Sequence, residues 1–363
     1  MYVNKEMLDD SILHAFSANG FSLIGGQESK EQIESYVRFV LNDLRQIEHD
    51  FKAKFINKLS IGENIYNSKD TKNKVSIPDA ALLDEKSFVC RSGVNGYDLV
   101  LPFIYDVDPG LIDVLFKNTK IQNHIIRLSH FQAGIYDRNP ETYAANLKRF
   151  LKLYIEGMNA ATHMKFMVNG SQNICQYWFN MKVPRDRIYD LTCEWSNFLI
   201  HPVSNKTTKK SWIEFFENKR LLFITAFPET AKKQIESKNL FKAFGISDTV
   251  KLDVQFCKPP VSFCKNYPHE NTVDSYRILE QDVSGYDFDI AIIGCGCYGV
   301  PVGNYIYSHM NKTAIIVGGV IQLFFAIRGA RWNKYDIYNE YWTNVLDSEL
   351  PENKELVEGG CYF

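Results

Sequence analysis

The sequence predicts an α/β protein, with a Rossmann-like parallel sheet in the C-terminal half and a less regular α/β N-terminal half. Three observations point there. A buried-strand pattern at Ile290–Ile293 runs directly into Gly294-Cys295-Gly296-Cys297-Tyr298-Gly299, and a helix then starts at Val300 or Pro301. From Arg220 onward, strand-like and helix-like segments alternate, as expected of parallel strands joined by helices that cover both faces. The next strand, Thr313–Val317, ends in a second glycine pair, Gly318-Gly319.

In chain order, Phe21–Ile24 reads as a strand leading into Gly25-Gly26-Gln27-Glu28. Glu31–Lys54 reads as a helix, because Ile33, Val37, Val40, Leu41, Leu44 and Ile47 form an apolar stripe. Lys58–Lys74 is polar and rich in Asn and Lys, and is expected as a loop. Phe88-Val89-Cys90 heads for another strand-to-glycine turn at Gly93. Thr142–Met158 is an amphipathic helix carrying Leu147, Phe150, Leu151, Tyr154 and Met158 on one side. The connection Pro202–Lys210 marks a boundary, giving an N-terminal region 1–205 and a C-terminal region 206–363. Beyond it, Arg220–Ala226 is a buried strand, and Phe227-Pro228-Glu229-Thr230 turns into a helix. Thr249–Phe256 alternates apolar and polar and reads as the next strand, followed by a helix at Ser275–Val283. A last helix is expected at about Val320–Ile327.

The 363 residues are 45% hydrophobic and 23% charged, as in an ordinary globular protein. A formal net charge of −2 supplies no basic field, which argues against a nucleic-acid partner. No apolar run approaches the ~20 residues that span a bilayer, and the N-terminal stretch is acidic rather than signal-like, so a cytoplasmic protein is expected. The 8 cysteines are scattered with no C-x-x-C, and the 8 histidines show no metal-ligand spacing. His130 and His163 read as structural.

A strand, a glycine loop and a helix N-terminus together make an anion site, since backbone amides and the positive end of the helix dipole converge there. Gly294, Gly296 and Gly299 are therefore candidate phosphate-binding residues. Their G-x-G-x-x-G spacing suggests a dinucleotide, which needs an acidic residue about 20 positions on, at the end of the next strand. That strand ends instead in Gly318-Gly319, so a nucleoside diphosphate joined to something else fits better. The loops at Phe227, Gly294 and Gly318 leave strands at one sheet edge and are expected to converge. Gln322, in the first turn after the glycine pair, is a candidate polar contact. Arg328 and Arg331 offer planar guanidinium forks suited to a diphosphate, the alternative being ion pairs with Glu340 or Asp336. Tyr298 and Trp332 are candidates to stack on a base or sugar, or else to fill the core. Thr230 is a candidate phosphate contact at a helix start, and Glu28 is either a helix-start carboxylate or a functional one.

Ser211-Trp212, LLFITAFPETAKKQ, FDIAIIGCGCYGVPVG, VGGVIQLFFAIRGARW and the final VEGGCYF together resemble a family of polysaccharide-biosynthesis glycosyltransferases with the GT-D or GT-D-like fold. The likeness is specific from about Ser211 to Phe363, and weaker in FSLIGGQES and between Ala133 and His163. It implies a GT-D-like enzyme that moves a sugar from a nucleotide-sugar donor to a glycan or polysaccharide acceptor. The donor would meet Gly25, Gly26, Phe227, Thr230, Gly294, Gly296, Tyr298, Gly299, Gly318, Gly319, Gln322, Arg328 and Arg331. Glu28 would be the catalytic base or the contact to the donor sugar. The better-known enzymes of this fold carry an Asp-x-Glu motif tied to a divalent metal, whereas here the triplet is Gly26-Gln27-Glu28. With the aspartate absent, Arg328, Arg331 and the loop amides are expected to stabilise the leaving diphosphate. Mn²⁺ or Mg²⁺ remain cofactors to test, with no metal ligands assigned. The alternatives are a non-catalytic nucleotide- or sugar-binding subunit of a glycan assembly complex, and a nicotinamide-dependent oxidoreductase.

Overall fold

In a computed structural model, the structure describes residues 86–91, 134–164, 211–262, 266–352, 354 and 360–363. Gly25, Gly26, Glu28, the helix expected at 31–54, the loop at 58–74, His130 and the connection at 202–210 lie outside the described residues.

The described strands are β1 (Phe88–Cys90), β2 (His163–Met164), β3 (Arg220–Thr225), β4 (Asp253–Cys257), β5 (Ile290–Gly294) and β6 (Thr313–Ile316). The helices are α1 (Pro140–Ala160), α2 (Trp212–Phe215), α3 (Pro228–Glu236), α4 (Asn239–Phe244), α5 (Thr272–Ser284) and α6 (Gly299–Ser308). The strands form one sheet in the order β2-β1-β6-β5-β3-β4, every pairing parallel.

Parallel strands covered by helices are buried on both faces, so they read as apolar runs, and successive side chains still alternate between the faces. Leu222 and Ile224 of β3 join Phe88, Cys90, Ala291, Ile293, Ala314 and Ile316 on one face, under α1, α5 and α6. Leu221 and Phe223 join Val89, Ile290, Ile292 and Ile315 on the other, under α2, α3, α4 and the C-terminal 3₁₀ segments. The result is three layers, helix on sheet on helix. Full burial of a side chain such as Phe223 stabilises by about 1.5–3 kcal/mol.

Local chemistry sets the helix starts. Asn139 accepts from the Glu141 amide (3.0 Å) ahead of Pro140, and Asn271 accepts from the Asp274 amide (3.0 Å). Ser211 and Glu214 form a reciprocal capping box at α2. Such caps are worth about 1 kcal/mol each. The apolar side of α1 packs as its spacing predicts, with Leu147, Phe150, Leu151, Tyr154 and Met158 all in the core. Gly157 lets α1 approach α6, since a methyl there would lie 2.8 Å from the Val300 carbonyl oxygen.

Two expectations are corrected. The strand expected at 249–256 is Asp253–Cys257, because α4 ends at the left-handed Gly245 and residues 246–252 are spent returning to the sheet edge. The helix expected at 320–327 is instead a 3₁₀ segment, Gly318–Phe325, opening at φ +63 and closing at Ala326 with φ +52. Its residues are apolar almost all round, so no polar face marked a helical period. Among the described residues, one sheet runs across the expected 205/206 boundary. Phe88 and Val89 pair with Ala314 and Ile315, which covers the edge that β6 would otherwise expose. No described helix is long and apolar enough to cross a membrane.

Candidate ligand crevice at the carboxyl edge of the sheet

The chain leaves β3 for its outer neighbour β4, then crosses back to β5 on the opposite side of β3 and continues to β6. Direction reverses between β3 and β5, where Thr225 lies opposite Gly294. The following helices, α3 and α6, pack on opposite faces, and in sheets of this kind ligands bind where the strand order reverses in this way. As expected, the loops at Phe227, Gly294 and Gly318 leave adjacent strands at this one edge.

On the α6 side, Gly296–Tyr298 makes a 3₁₀ turn and Gly299 opens the helix, which has no side-chain cap. The glycines do different things. Gly296 takes φ +61, a left-handed conformation costly for any residue with a Cβ. Gly294 is forced by packing, because a methyl would lie 2.6 Å from the Gly318 carbonyl oxygen and 2.5 Å from Ile321 Cγ2. At Gly299 a methyl would meet nothing closer than Ile316 at 3.6 Å, so that position is open on its core side. Cys295 and Cys297 are buried, and burial pushes both thiols up, away from the reactive thiolate. They are inert lining rather than nucleophiles.

Tyr298 turns into the core beneath α1 and is only 1% exposed. Its ring meets Phe150 edge-on at 5.9 Å and its hydroxyl donates to Ser262 (3.0 Å), so it offers no free face for a base. Ser262 in turn donates to the Gly134 carbonyl (2.6 Å). Nearby, Tyr136, Ser275 and the His269 ring form a second short hydrogen-bond chain of 2.7 and 2.9 Å. These hydroxyls tie the entry of α1 to the start of α5.

On the α3 side, Phe227 precedes the helix and its own side chain makes no cap. The carboxylate of Glu349 does so instead, accepting from the amides of Glu229 and Thr230 (2.8 Å each) and from the Thr230 hydroxyl (2.5 Å). Thr230 therefore already holds an anion, and the anion belongs to the chain. The same hydroxyl also accepts from the Leu346 amide (3.0 Å).

After β6, Gly318 sits against the Arg91 guanidinium, which donates to the Val317 carbonyl (3.3 Å), and Gly319 sits against the Tyr362 ring. Gln322 is buried, and its Nε2 donates to the carbonyls of Arg328 (2.8 Å) and Tyr362 (3.3 Å). Arg328 donates to the Asn339 carbonyl (3.2 Å) and stacks over Tyr338; neither Glu340 nor Asp336 is its partner. Arg331 bonds to Cys361 and stacks over Tyr362 and Trp332. Trp332 is buried beside Gly329. His163 meets Thr162 at 2.8 Å on the two-residue edge strand, in keeping with a structural role.

The structure thus brings Phe227, Thr230, Gly294, Gly296, Gly299, Gly318, Gly319, Gln322 and Arg331 to one sheet edge, while Tyr298 goes to the core. Sequence reading passed over Glu349, Arg91 and Tyr362. Nothing in Asp347-Ser348-Glu349 singles out its last carboxylate, and Arg91 reaches Gly318 only through the pairing of β1 with β6. Among the described residues, no group of three or more His, Cys, Asp or Glu side chains is arranged to hold a metal ion.

The described residues form a three-layer α/β protein with a parallel sheet, and the loops after β3, β5 and β6 meet at its carboxyl edge. In comparisons with protein-family models, curated proteins and solved structures, nothing matches this chain.

Proposed function

We propose that the protein is a glycosyltransferase that takes a sugar from a nucleotide-sugar donor and passes it to a glycan or polysaccharide acceptor. The observation that carries this reading is the N-terminus of α6, which has no side-chain cap and is reached through a glycine turn at the point where the strand order reverses. Amides and helix dipole there suit a diphosphate leaving group, whose negative charge grows as the glycosyl bond breaks. The strand next to the glycine loop ends in Gly318 and Gly319 rather than in an acid, which favours a nucleotide sugar over a nicotinamide dinucleotide. Arg331, on the 3₁₀ segment just beyond, is the nearer source of positive charge, and Arg328 is the proposed second one. Glu28 is the proposed base or donor-sugar contact, and Mn²⁺ or Mg²⁺ the cofactor to test.

The experiment is a thermal-shift screen of the full chain against a panel of nucleotide sugars, with and without Mn²⁺ or Mg²⁺. A ligand at a hundredfold excess over its Kd adds roughly 2.7 kcal/mol of stability, which such a screen resolves. Stabilisation by at least one nucleotide sugar, together with its slow hydrolysis, is expected, and activity should persist in excess chelator. Stabilisation by NAD alone would replace this reading with the oxidoreductase. Binding without turnover would replace it with a non-catalytic subunit.

A further inference from the structure

Four residues, 360–363, bear on several of the loops nominated for ligand binding. The Tyr362 ring lies directly on the Cα of Gly319, so closely that a methyl there would collide with it. The Arg331 guanidinium lies 4.4 Å from the centroid of the same ring, and Trp332 approaches it edge-on at 6.5 Å. The Cys361 carbonyl accepts from the Arg331 amide (3.0 Å), and the Cys361 sulfur accepts from Arg331 Nη2 (3.3 Å). The Tyr362 carbonyl accepts from Gln322 Nε2 (3.3 Å). Phe363 packs edge-on against Phe227 at 6.0 Å. One short segment therefore covers Phe227, Gly319, Gln322 and Arg331, which come from two different strand-end loops.

Beneath this segment Gln322, whose Nε2 bonds to the Tyr362 carbonyl, keeps its Oε1 buried without a donor. Buried groups of this kind are costly to leave unpaired and mark places where a polar partner would be gained. The way the segment is held also resembles a bound ligand: a planar ring laid against a glycine Cα and a guanidinium, with a few single hydrogen bonds around it.

We infer that residues 360–363 are an intramolecular occupant of the donor site, which a nucleoside diphosphate must displace. The planar base takes the place of the Tyr362 ring against Gly319 and Arg331, and the diphosphate meets the α6 N-terminus. This inference rests on the nucleotide-sugar reading above. It makes the protein self-inhibited, because apparent affinity is the intrinsic affinity reduced by the fraction of molecules whose site is open.

The test uses the full chain and its Tyr362→Ala variant, with uridine, guanosine and adenosine diphosphates as probes in calorimetry. Tyr362→Ala is expected to bind at least one of them about fivefold tighter than wild type. In the wild-type chain, saturating nucleotide is expected to speed maleimide modification of Cys361, read by peptide mass spectrometry to separate it from the other cysteines. Equal or weaker binding by Tyr362→Ala overturns the inference, as does protection of Cys361 by nucleotide, since the segment would then be a fixed wall of the site. If Tyr362→Ala does not fold, the Cys361 rate decides. Equal binding in both forms overturns this inference while leaving the nucleotide-sugar reading standing. Binding of no diphosphate by either form, with the Cys361 rate unmoved, defeats the nucleotide-sugar reading as well.

Discussion

Two helix N-termini lie at the same sheet edge and are finished in opposite ways. At α3, the Glu349 carboxylate takes the amides of Glu229 and Thr230 and the Thr230 hydroxyl. At α6, the chain arrives through glycines and buried neutral thiols, and no side chain caps the helix. Each helix start presents amides and a partial positive charge that need an anion or water. The contrast separates two uses of one physical device. The α3 end is an internal joint that ties Glu349 to the sheet edge, while the α6 end, which we propose as the diphosphate site, has no side-chain cap.

The contact between the two glycine turns is the most sensitive point. In Gly294→Ala the new methyl would lie 2.6 Å from the Gly318 carbonyl oxygen, a backbone atom that moves only with the whole turn. A loss of about 3 kcal/mol is expected in urea denaturation, at the upper end of overpacking costs. A loss below about 1 kcal/mol would mean that the turns after β5 and β6 are not packed together, and the crevice would need redrawing.

Glu349→Ala tests the internal joint directly. It removes the acceptor of three hydrogen bonds at a buried helix start, with an expected loss of about 2 kcal/mol. Nucleotide affinity should stay unchanged, because the phosphate is assigned to α6. A clear gain in nucleotide affinity would reverse the assignment, making α3 the anion site that Glu349 normally fills.

How much of this was legible in the sequence depends on whether the cause is local. Strands β3 and β5 are unbroken apolar runs closed by a proline turn or a glycine, so Leu221–Ile224 and Ile290–Ile293 could be read directly. The convergence of the loops after them follows from parallel strand order alone. The pairing of β1 with β6 has no local cause: the Ser87 amide bonds to Thr313 Oγ1 across 226 residues, and nothing in SFVC names that partner. The individual roles of the glycines were also hidden. Spacing alone does not reveal that Gly319 is bare for the Tyr362 ring, or that Gly294 is bare for a neighbouring carbonyl. Tyr298 sits in the glycine loop by sequence yet belongs to the core, because the 3₁₀ turn swings its ring under α1.

Gly299→Ala carries the smallest expected effect and completes the contrast within the loop. A methyl at Gly294 collides with backbone, but at Gly299 the nearest neighbours would be Ile316 and Ile293 side-chain carbons at 3.6 and 3.7 Å and the Cys295 sulfur at 4.0 Å, all ordinary contacts. The position is helical, with φ −59 and ψ −46, so alanine fits without strain and lowers the entropy of the unfolded chain. Stability should therefore stay level or rise by up to about 1 kcal/mol. Because that methyl turns toward the core, the amides at the start of α6 remain as they were, and nucleotide affinity should hold within about twofold, under 0.5 kcal/mol. A weakened affinity at full stability would mean that a ligand reaches the loop from the core side, and the proposed approach along the crevice would be wrong.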